Sequence, residues 1–506
     1  MTRSGFATKP LGATVALCLM AGSTFAEDLP PPVDQAALNA LVAAGEMAAA
    51  FDLAFEAGDE LTEASFDAAR GVGANIGEGR LFTRFPRADL TGETEWANHV
   101  PARAGGANAT SCIACHNAPI ANGAGDVALN AVIDPAHTGD PSLYLERNTL
   151  PLFALAIPQR LAEEMSVALY LQRDAAEQIA CANGTATAEL SAKGIDFGSL
   201  TLVRTATEPC VLGTDLSQLA GIDADLVVRP FGWKGDAATI REFTRGAAHN
   251  ELGMQADELV GAFDGDFDGV TGELTVGDMT ALTLYMAALE RPVSRIELAA
   301  LGLGEVSEQE AAMIAQGEIA FTQAACASCH TPSMVLDEPV FSEPSQVPGF
   351  YDVSFPDGSD PATHGLTMAT ALRFDMTTDQ PNNQFEGANG EIHHLGAVER
   401  DAEGRAIARW FTDLKRHDMG ADLSDPSDPL GLGASMFLTR SLAGVGSTGP
   451  WLHDGRATTL DAAILAHGGA AQASRDAFEA LPEAKQAALV TFLENLVIYA
   501  GDSEAH

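Results

Sequence analysis

Basic residues are scarce in this chain of 506 residues: 28 Lys and Arg stand against 70 Asp and Glu, a formal net charge of −42. A surface of that sign repels phosphate backbones and anionic headgroups, which excludes nucleic acid as a natural partner. It suits a basic electron-carrying partner or a solubilising face in a salty medium, and composition does not separate the two. Long apolar runs are missing beyond the N-terminus, none approaching the ~20 residues a bilayer demands, so no membrane span is expected. Cysteine is sparse as well, with seven in all, so each one can be accounted for.

What is present begins with residues 1–26, which read as a cleaved secretory signal. Arg3 and Lys9 lead, an apolar run covers Leu11 to Met20, and small residues follow to Ala26. A periplasmic protein is expected. Removing the signal discards Cys18 and leaves Cys181 and Cys210 as a pair outside any motif, suited to a disulfide in an oxidising compartment.

The other four cysteines form Cys112-Ile113-Ala114-Cys115-His116 and Cys326-Ala327-Ser328-Cys329-His330. Two thiols three residues apart can form thioethers to the two vinyl groups of a haem, and the adjacent histidine then reaches the iron. A structural zinc would require a second Cys or His pair near each motif, and none stands at the usual spacing. Two covalently bound c-type haems are expected, attached through Cys112 and Cys115 with His116 as ligand, and through Cys326 and Cys329 with His330.

Helical spacing covers 33–70, 274–289, the stretch from Ser307 to Ala325, and 482–500. Leu282, Tyr285, Met286 and Leu289 share one face, and Leu489, Phe492, Leu493 and Leu496 repeat it 207 residues later, while the haem motifs are 214 apart. The fold class expected is mainly α, with two cytochrome c-like haem domains in tandem and long loop insertions. The N-terminal domain spans 27–292, with an insertion at 180–228, and the C-terminal domain spans 293–506. A finer repeat sets Gly232 to Ile240 against Leu452 to Leu460, 220 residues apart, and its gapless extension places Ala247 opposite His467. If each stretch lies above its own haem, one offers an imidazole where the other offers a methyl.

RNTLPLF at 147–153, VVRPFGWKGD at 227–236, HNELGM at 249–254, DLKRHDMG at 413–420 and WLHDGRATTLDAAILAHGG at 451–469 complete the pattern. With the two haem motifs, they resemble the bacterial di-haem cytochrome c peroxidase superfamily, and within it the di-haem oxidoreductase family. The resemblance implies an electron-storing C-terminal haem feeding a peroxide-reactive N-terminal haem. It implies that the second axial ligand of the storing haem follows the His453-Asp454-Gly455 stretch, where His467 stands, and that Trp233 lies between the haems. Two positions depart from the family: Phe243 replaces its distal Gln, and Gly253 its distal Glu. His249 and Glu251 are the nearest replacements for acid–base work.

Several residues carry a second reading. His467 could be a buried histidine bonded to backbone, and Met419 is a rival sulfur donor. His417 and His453 suit structural or propionate-facing roles, and His137 a surface loop or a cap on the first iron. Arg147 and Arg440 suit haem propionates, because a planar, permanently charged donor matches a carboxylate. Asp264, Asp266 and Asp268 alternate before Gly269, with Glu273 following, as in a calcium loop lacking its twelfth-position Glu. The alternative is an acidic solvated turn.

The function expected is that of a peroxidase-like di-haem oxidoreductase with an open haem at His116. Hydrogen peroxide and a small electron donor of cytochrome c or cupredoxin type are the expected partners. A carrier with both irons six-coordinate, or a haem oxidase of an organic or protein substrate, are the alternatives.

Overall fold

The computed structural model describes residues 30–73, 96–378, 380, 383–387 and 390–501. The signal segment and most of the Gly-rich stretch after residue 71 lie outside them. None of the described helices is long and apolar enough to cross a membrane.

The N-terminal half is built on α1 (Gln35–Ala43), α2 (Met47–Glu63), the long α3 (Ala156–Asn183), α4 (Ile240–Ala247), the single turn α5 (Asp257–Val260) and α6 (Val276–Ala288). In α2 the apolar residues recur at helical spacing, and Ala50, Phe51, Ala54, Phe55, Gly58 and Leu61 form its buried face. That face meets α6 at Gly58, where an added Cβ would stand 2.4 Å from the Ala281 carbonyl oxygen and 2.5 Å from Tyr285 Cβ. A capping box starts α6: the Thr275 hydroxyl accepts from Asp278 N, and the Asp278 carboxylate accepts from Thr275 N. The spacing of α6 predicts one apolar face, but every residue from Val276 to Ala288 is buried. α1, α2 and α4 pack around it and leave it no solvent side.

In the C-terminal half, α7 (Arg295–Leu301) buries Leu298 in a small cluster with Val293 and Leu395, while α8 (Glu308–Gln323), α9 (Leu460–Leu465), α10 (Gln472–Glu479) and α11 (Glu483–Glu494) gather round a larger apolar cluster. α8 crosses α11 at Gly317, where a Cβ would meet Ala488 O at 2.0 Å and Phe492 Cβ at 2.6 Å. Ala281 and Tyr285 thus have Ala488 and Phe492 as counterparts, 207 residues on, which is the spacing the sequence repeat shows.

The expectation of a mainly α chain is corrected by the rest of the molecule: 37% of it is helical and 17% is strand, spread over many small sheets. Two stretches account for this. The 180–228 insertion is a three-stranded antiparallel sheet of β3 (Thr185–Ala192), β4 (Ile195–Thr207) and β5 (Cys210–Leu219), following the short pair β1 (Ala131–Ile133) and β2 (Leu145–Arg147). Alternation drives it: Ala188, Leu190, Phe197, Leu200 and Leu202 turn inward onto α3 while their neighbours face water. Lys193 and Gly194, at φ +49° and +83°, make the two-residue turn that suits the twist of paired strands. The expected disulfide is present, tying the last turn of α3 at Cys181 to Cys210 at a Cα–Cα distance of 5.9 Å. The second stretch runs between α8 and α9, where the described residues form short strands and 3-10 turns with no α-helix.

Candidate functional site

Each cysteine motif folds as a 3-10 turn, Cys112–Ala114 and Cys326–Ser328. In both, the histidine N–H donates to the first cysteine's carbonyl, at 3.0 Å for His116 and 2.9 Å for His330. None of the four cysteines is in a disulfide. Burial raises the Cys112 thiol to about 12 and the Cys326 thiol to about 11, so both stay protonated.

The second motif opens into a largely apolar cavity, walled by Phe321, Leu442, Val445, Trp451, Leu460 and Leu489 among others. His330 enters it from one side. His467 enters from the other, two residues past the end of α9, which the Thr459 hydroxyl caps by accepting from Ala462 N. The ring centroids are 6.4 Å apart. Metal–imidazole bonds run about 2.0–2.1 Å, so with each centroid ~1.1 Å behind its nitrogen, two imidazoles across one metal stand ~6.3 Å apart. Nδ1 of His330 lies 3.3 Å from Phe411 O, and Nδ1 of His467 lies 2.8 Å from Ala463 O. With Nδ1–H donated to backbone, Nε2 carries the lone pair on each ring. Burial lowers both imidazoles, His330 to about 4, which keeps them neutral as ligands must be. Backbone bonding and a ligand role, the two readings of His467, thus involve different nitrogens.

Arg440 lines the same cavity; burial pushes it down to about 10, and its Nε has no partner. An orphaned guanidinium N–H beside two facing imidazoles and two free thiols fits a haem with its carboxylates. Arg147 is committed elsewhere: Nη1 and Nη2 grip the buried Asp425 at 3.0 and 2.8 Å. Lys234 reaches the same carboxylate at 3.0 Å. Asp425 gave no sequence signal. His417 Nε2 donates to Asp413 Oδ2 at 2.7 Å, and although burial opposes it, Asp413 and the neighbouring Cys329 raise the imidazole to about 9. Met419 lines the cavity too, while the ring facing His330 is that of His467.

Trp233 joins the halves. Its Nε1 donates to Asn148 O at 2.9 Å, and its carbonyl accepts from Leu438 N at 3.0 Å. The indole also stands 6.5 Å from the His453 ring, edge-on, and borders the cavity. Asn148 N donates to His453 O at 2.7 Å, so RNTLPLF is stitched to the HDG stretch.

Around the first motif, His116 Nδ1 lies 3.3 Å from Gly123 O, and burial lowers the ring to about 4. α4 repeats α9 with caps at Thr239 and Thr459, then continues into a π-helical turn, Ala248–Leu252. Ala247 is the last residue of α4. His249 and Glu251 ride the π turn. Burial drives His249 down to about 3 and Glu251 up to about 7. Asn108 N and Ala109 N donate to Glu251 O at 2.9 and 3.2 Å, tying the turn to the chain just before Cys112.

The carboxylates of Asp264, Asp266 and Asp268 each place an oxygen within 4.8 Å of the others. Glu273 is outside that trio and accepts from Gln255 N at 2.9 Å. Burial, with help from neighbouring acids, raises Asp266 to about 7 and Glu273 to about 9. A cation already touches the trio: Arg103 Nη2 is 3.2 Å from Asp266 Oδ2, both side chains fully buried. Sequence reasoning missed Arg103, because nothing local distinguishes it from a surface arginine.

Residues 386–496 match the family model described as "Di-haem oxidoreductase, putative peroxidase". The C-terminal part of the chain is similar to that family. The match spans the segment that carries His417, Arg440, His453 and His467, and the family's two haems agree with two attachment motifs. No curated protein matches the chain. Among solved structures, it is similar to "Crystal structure of a MauG-like protein associated with microbial copper homeostasis", at 16% identity and a TM-score of 0.27. That alignment covers 52% of this chain and 68% of the other.

Proposed function

We propose that the protein is an exported, peroxidase-like di-haem oxidoreductase in which the two irons have different coordination. The observation that carries this reading is the facing pair His330 and His467, 6.4 Å apart, against Ala247 at the matching position of the N-terminal repeat. Haem supplies the redox chemistry, and the protein tunes it through axial ligands and surrounding polar groups.

In this reading His330 and His467 would hold the C-terminal haem, and Arg440 would pair with one of its carboxylates. Neutral imidazoles fixed through Nδ1 do not move on electron uptake, which suits storage. Trp233, hydrogen-bonded to Asn148 and bordering the cavity, lies on the route towards the N-terminal site. His116 would hold the N-terminal haem, and Ala247, at the repeat position that His467 occupies in the C-terminal half, would offer it no second ligand. Glu251, raised to about 7 by burial, exchanges a proton near neutral pH, as general acid–base work asks. His249 shares that wall.

The acidic trio is read as a calcium-type site, with Asp264, Asp266 and Asp268 supplying oxygen ligands to a hard cation. The division into domains at 27–292 and 293–506 follows the same reading, as do a periplasmic location, a basic electron-donor protein and peroxide as oxidant. The ferric absorption and EPR spectra of the isolated protein test the whole. One low-spin and one high-spin haem are expected; two low-spin haems overturn the reading in favour of a carrier.

A further inference from the structure

A cavity of about 270 Å³ lies between the start of α4 and the chain joining the paired strands Val340–Glu343 and Leu372–Asp375. It shares no lining residue with the cavity around His330 and His467. Its walls are fixed from several directions. The strand register sets Glu343 opposite Leu372, and Asn39 Nδ2 of α1 donates to Gly365 O at 2.9 Å. Asp357 N donates to Glu258 O at 3.4 Å, while Arg245 Nη1 and Nη2 donate to Asp352 at 3.0 and 3.3 Å. Buried Phe350, Phe355 and Leu366 supply apolar walls. Tyr351 and Met368, 37% and 40% exposed, mark where the cavity meets solvent.

The charged groups in this cavity are one arginine and three carboxylates. Arg241 is saturated. Its Nε and Nη2 donate to Glu258 Oε2 at 2.9 and 2.6 Å, and Nη2 donates again to Val276 O at 3.1 Å. Its Nη1 donates to Thr280 Oγ1 and to Glu343 Oε1, both at 3.0 Å, which uses the last of the guanidinium donors. Glu343 is only half satisfied. The residue is 4% exposed, and among the described residues no donor reaches its Oε2, which opens on the cavity. Burial, with Glu258 and Asp352 adding to it and Arg241 opposing, raises Glu343 to about 7. Asp352 and Asp360 line the same space. A buried carboxylate oxygen left without a donor is costly, and here the missing donor has room to enter.

Charge and shape narrow the ligand. An anion finds no free donor on Arg241 and meets three carboxylates. A hard metal ion needs several oxygens converging on one point. Among the described residues that condition is met by the acidic trio and by Cys329, Asp413 and His417, not by these carboxylates. A neutral alcohol could donate to Oε2 but would leave the negative charge uncompensated. A protonated primary amine supplies both the N–H and the charge, and the apolar walls accept its hydrocarbon part. We propose that this cavity binds a small primary alkylammonium ion, its head on Glu343 Oε2 and its chain running past Leu366 towards Met368. The Tyr351 ring at the opening offers the same cation a π face. The site is independent of either haem.

Calorimetric titration of the full-length holoprotein at pH 8 with n-hexylammonium, 1-hexanol and hexanoate tests this. Thermal melts and the Soret band are followed alongside. Hexylammonium should bind about ten- to a hundredfold tighter than 1-hexanol, the gain expected of a hydrogen bond to a charged group. Hexanoate should not bind. Glu343→Gln should weaken hexylammonium by a similar factor and leave 1-hexanol unchanged. Because Glu343 also holds Arg241, Met368→Lys provides a second variant at a position open to solvent. Its tethered ammonium should compete for Glu343 and abolish hexylammonium binding, whereas Met368→Gln should not. Hexylammonium bound no tighter than 1-hexanol, or bound equally well by Met368→Lys, overturns the proposal. A Soret shift that tracks the titration places the amine on iron and overturns it as well.

Discussion

Gly235 and Gly455 stand 220 residues apart in the same left-handed conformation, at φ +62° and +70°. Around them the backbone repeats. Phe231 bridges Ala237 as Trp451 bridges Ala457, and Gly232 and Leu452 both take positive φ, +72° and +73°. Leu452 accepts a conformation that a β-carbon disfavours, so the shape of the turn outranks the identity of the residue that makes it. The repeat then ends differently, in His467 beyond α9 and in a π turn beyond α4.

That divergence predicts opposite outcomes for two substitutions. His467→Gly should convert the C-terminal haem from low-spin to high-spin without loss of covalent haem. Ala247→His should make the high-spin signal disappear and abolish peroxide reactivity, leaving electron uptake by the other haem intact. EPR of each ferric variant reads both. His467→Gly with an unchanged low-spin spectrum would falsify the assignment of His467.

The two motifs predict two haems per chain that resist acid-acetone extraction. Intact mass should exceed that of the mature polypeptide by two haems. Cys329→Ser should weaken one attachment and spare the other; a mass with one haem or none refutes the count.

The acidic turn predicts a pH dependence with a definite sign. Asp266 and Glu273 are raised in the folded state, to about 7 and about 9, from ordinary carboxyl values near 4. Their folded forms therefore bind protons more tightly than the unfolded chain does. The stability they contribute is complete below about pH 4 and is lost as pH rises through 7 and 9. Chelator-treated protein should melt at progressively lower temperature from pH 5 to pH 9, and calcium should oppose that loss. Asp266→Ala should remove the response to calcium. A wild-type melting curve indifferent to chelator at pH 8 would leave Arg103 as the turn's only cation.

Helix crossings at Gly58 and Gly317 have no room for a methyl group. Gly317→Ala should destabilise the C-terminal half by about 1–3 kcal/mol through overpacking against Ala488 and Phe492, reduced by the ~1 kcal/mol that alanine gains in a helix. Gly58→Ala should behave alike against Ala281 and Tyr285. Urea midpoints measure both, and a stabilised variant at either site contradicts the contact.

Asp425→Ala should cost about 3–5 kcal/mol, because it strands the Arg147 and Lys234 charges in a buried seam. Asp425→Asn should cost less, since the amide still accepts a hydrogen bond. Calorimetric melts of the holoprotein distinguish the two.

The sequence by itself determined what depends on local chemistry: two haem motifs, the cysteine pair, helical spacing across α2 and α8, the apolar face of α11, and the register of both internal repeats. Each is written in residue types at short, fixed spacings, which the backbone converts directly into turns and faces. The strand content was not legible, because β3 to β5 and the short ribbons between α8 and α9 are set by pairing across distance. Only the tertiary structure decided that α6 is covered on all sides, that Asp425 anchors Arg147 and Lys234, and that Arg103 enters the acidic turn. Burial and partner identity are properties of the surroundings: an arginine in a loop reads the same in sequence whether it ends in water or, as Arg103 does, against a buried carboxylate.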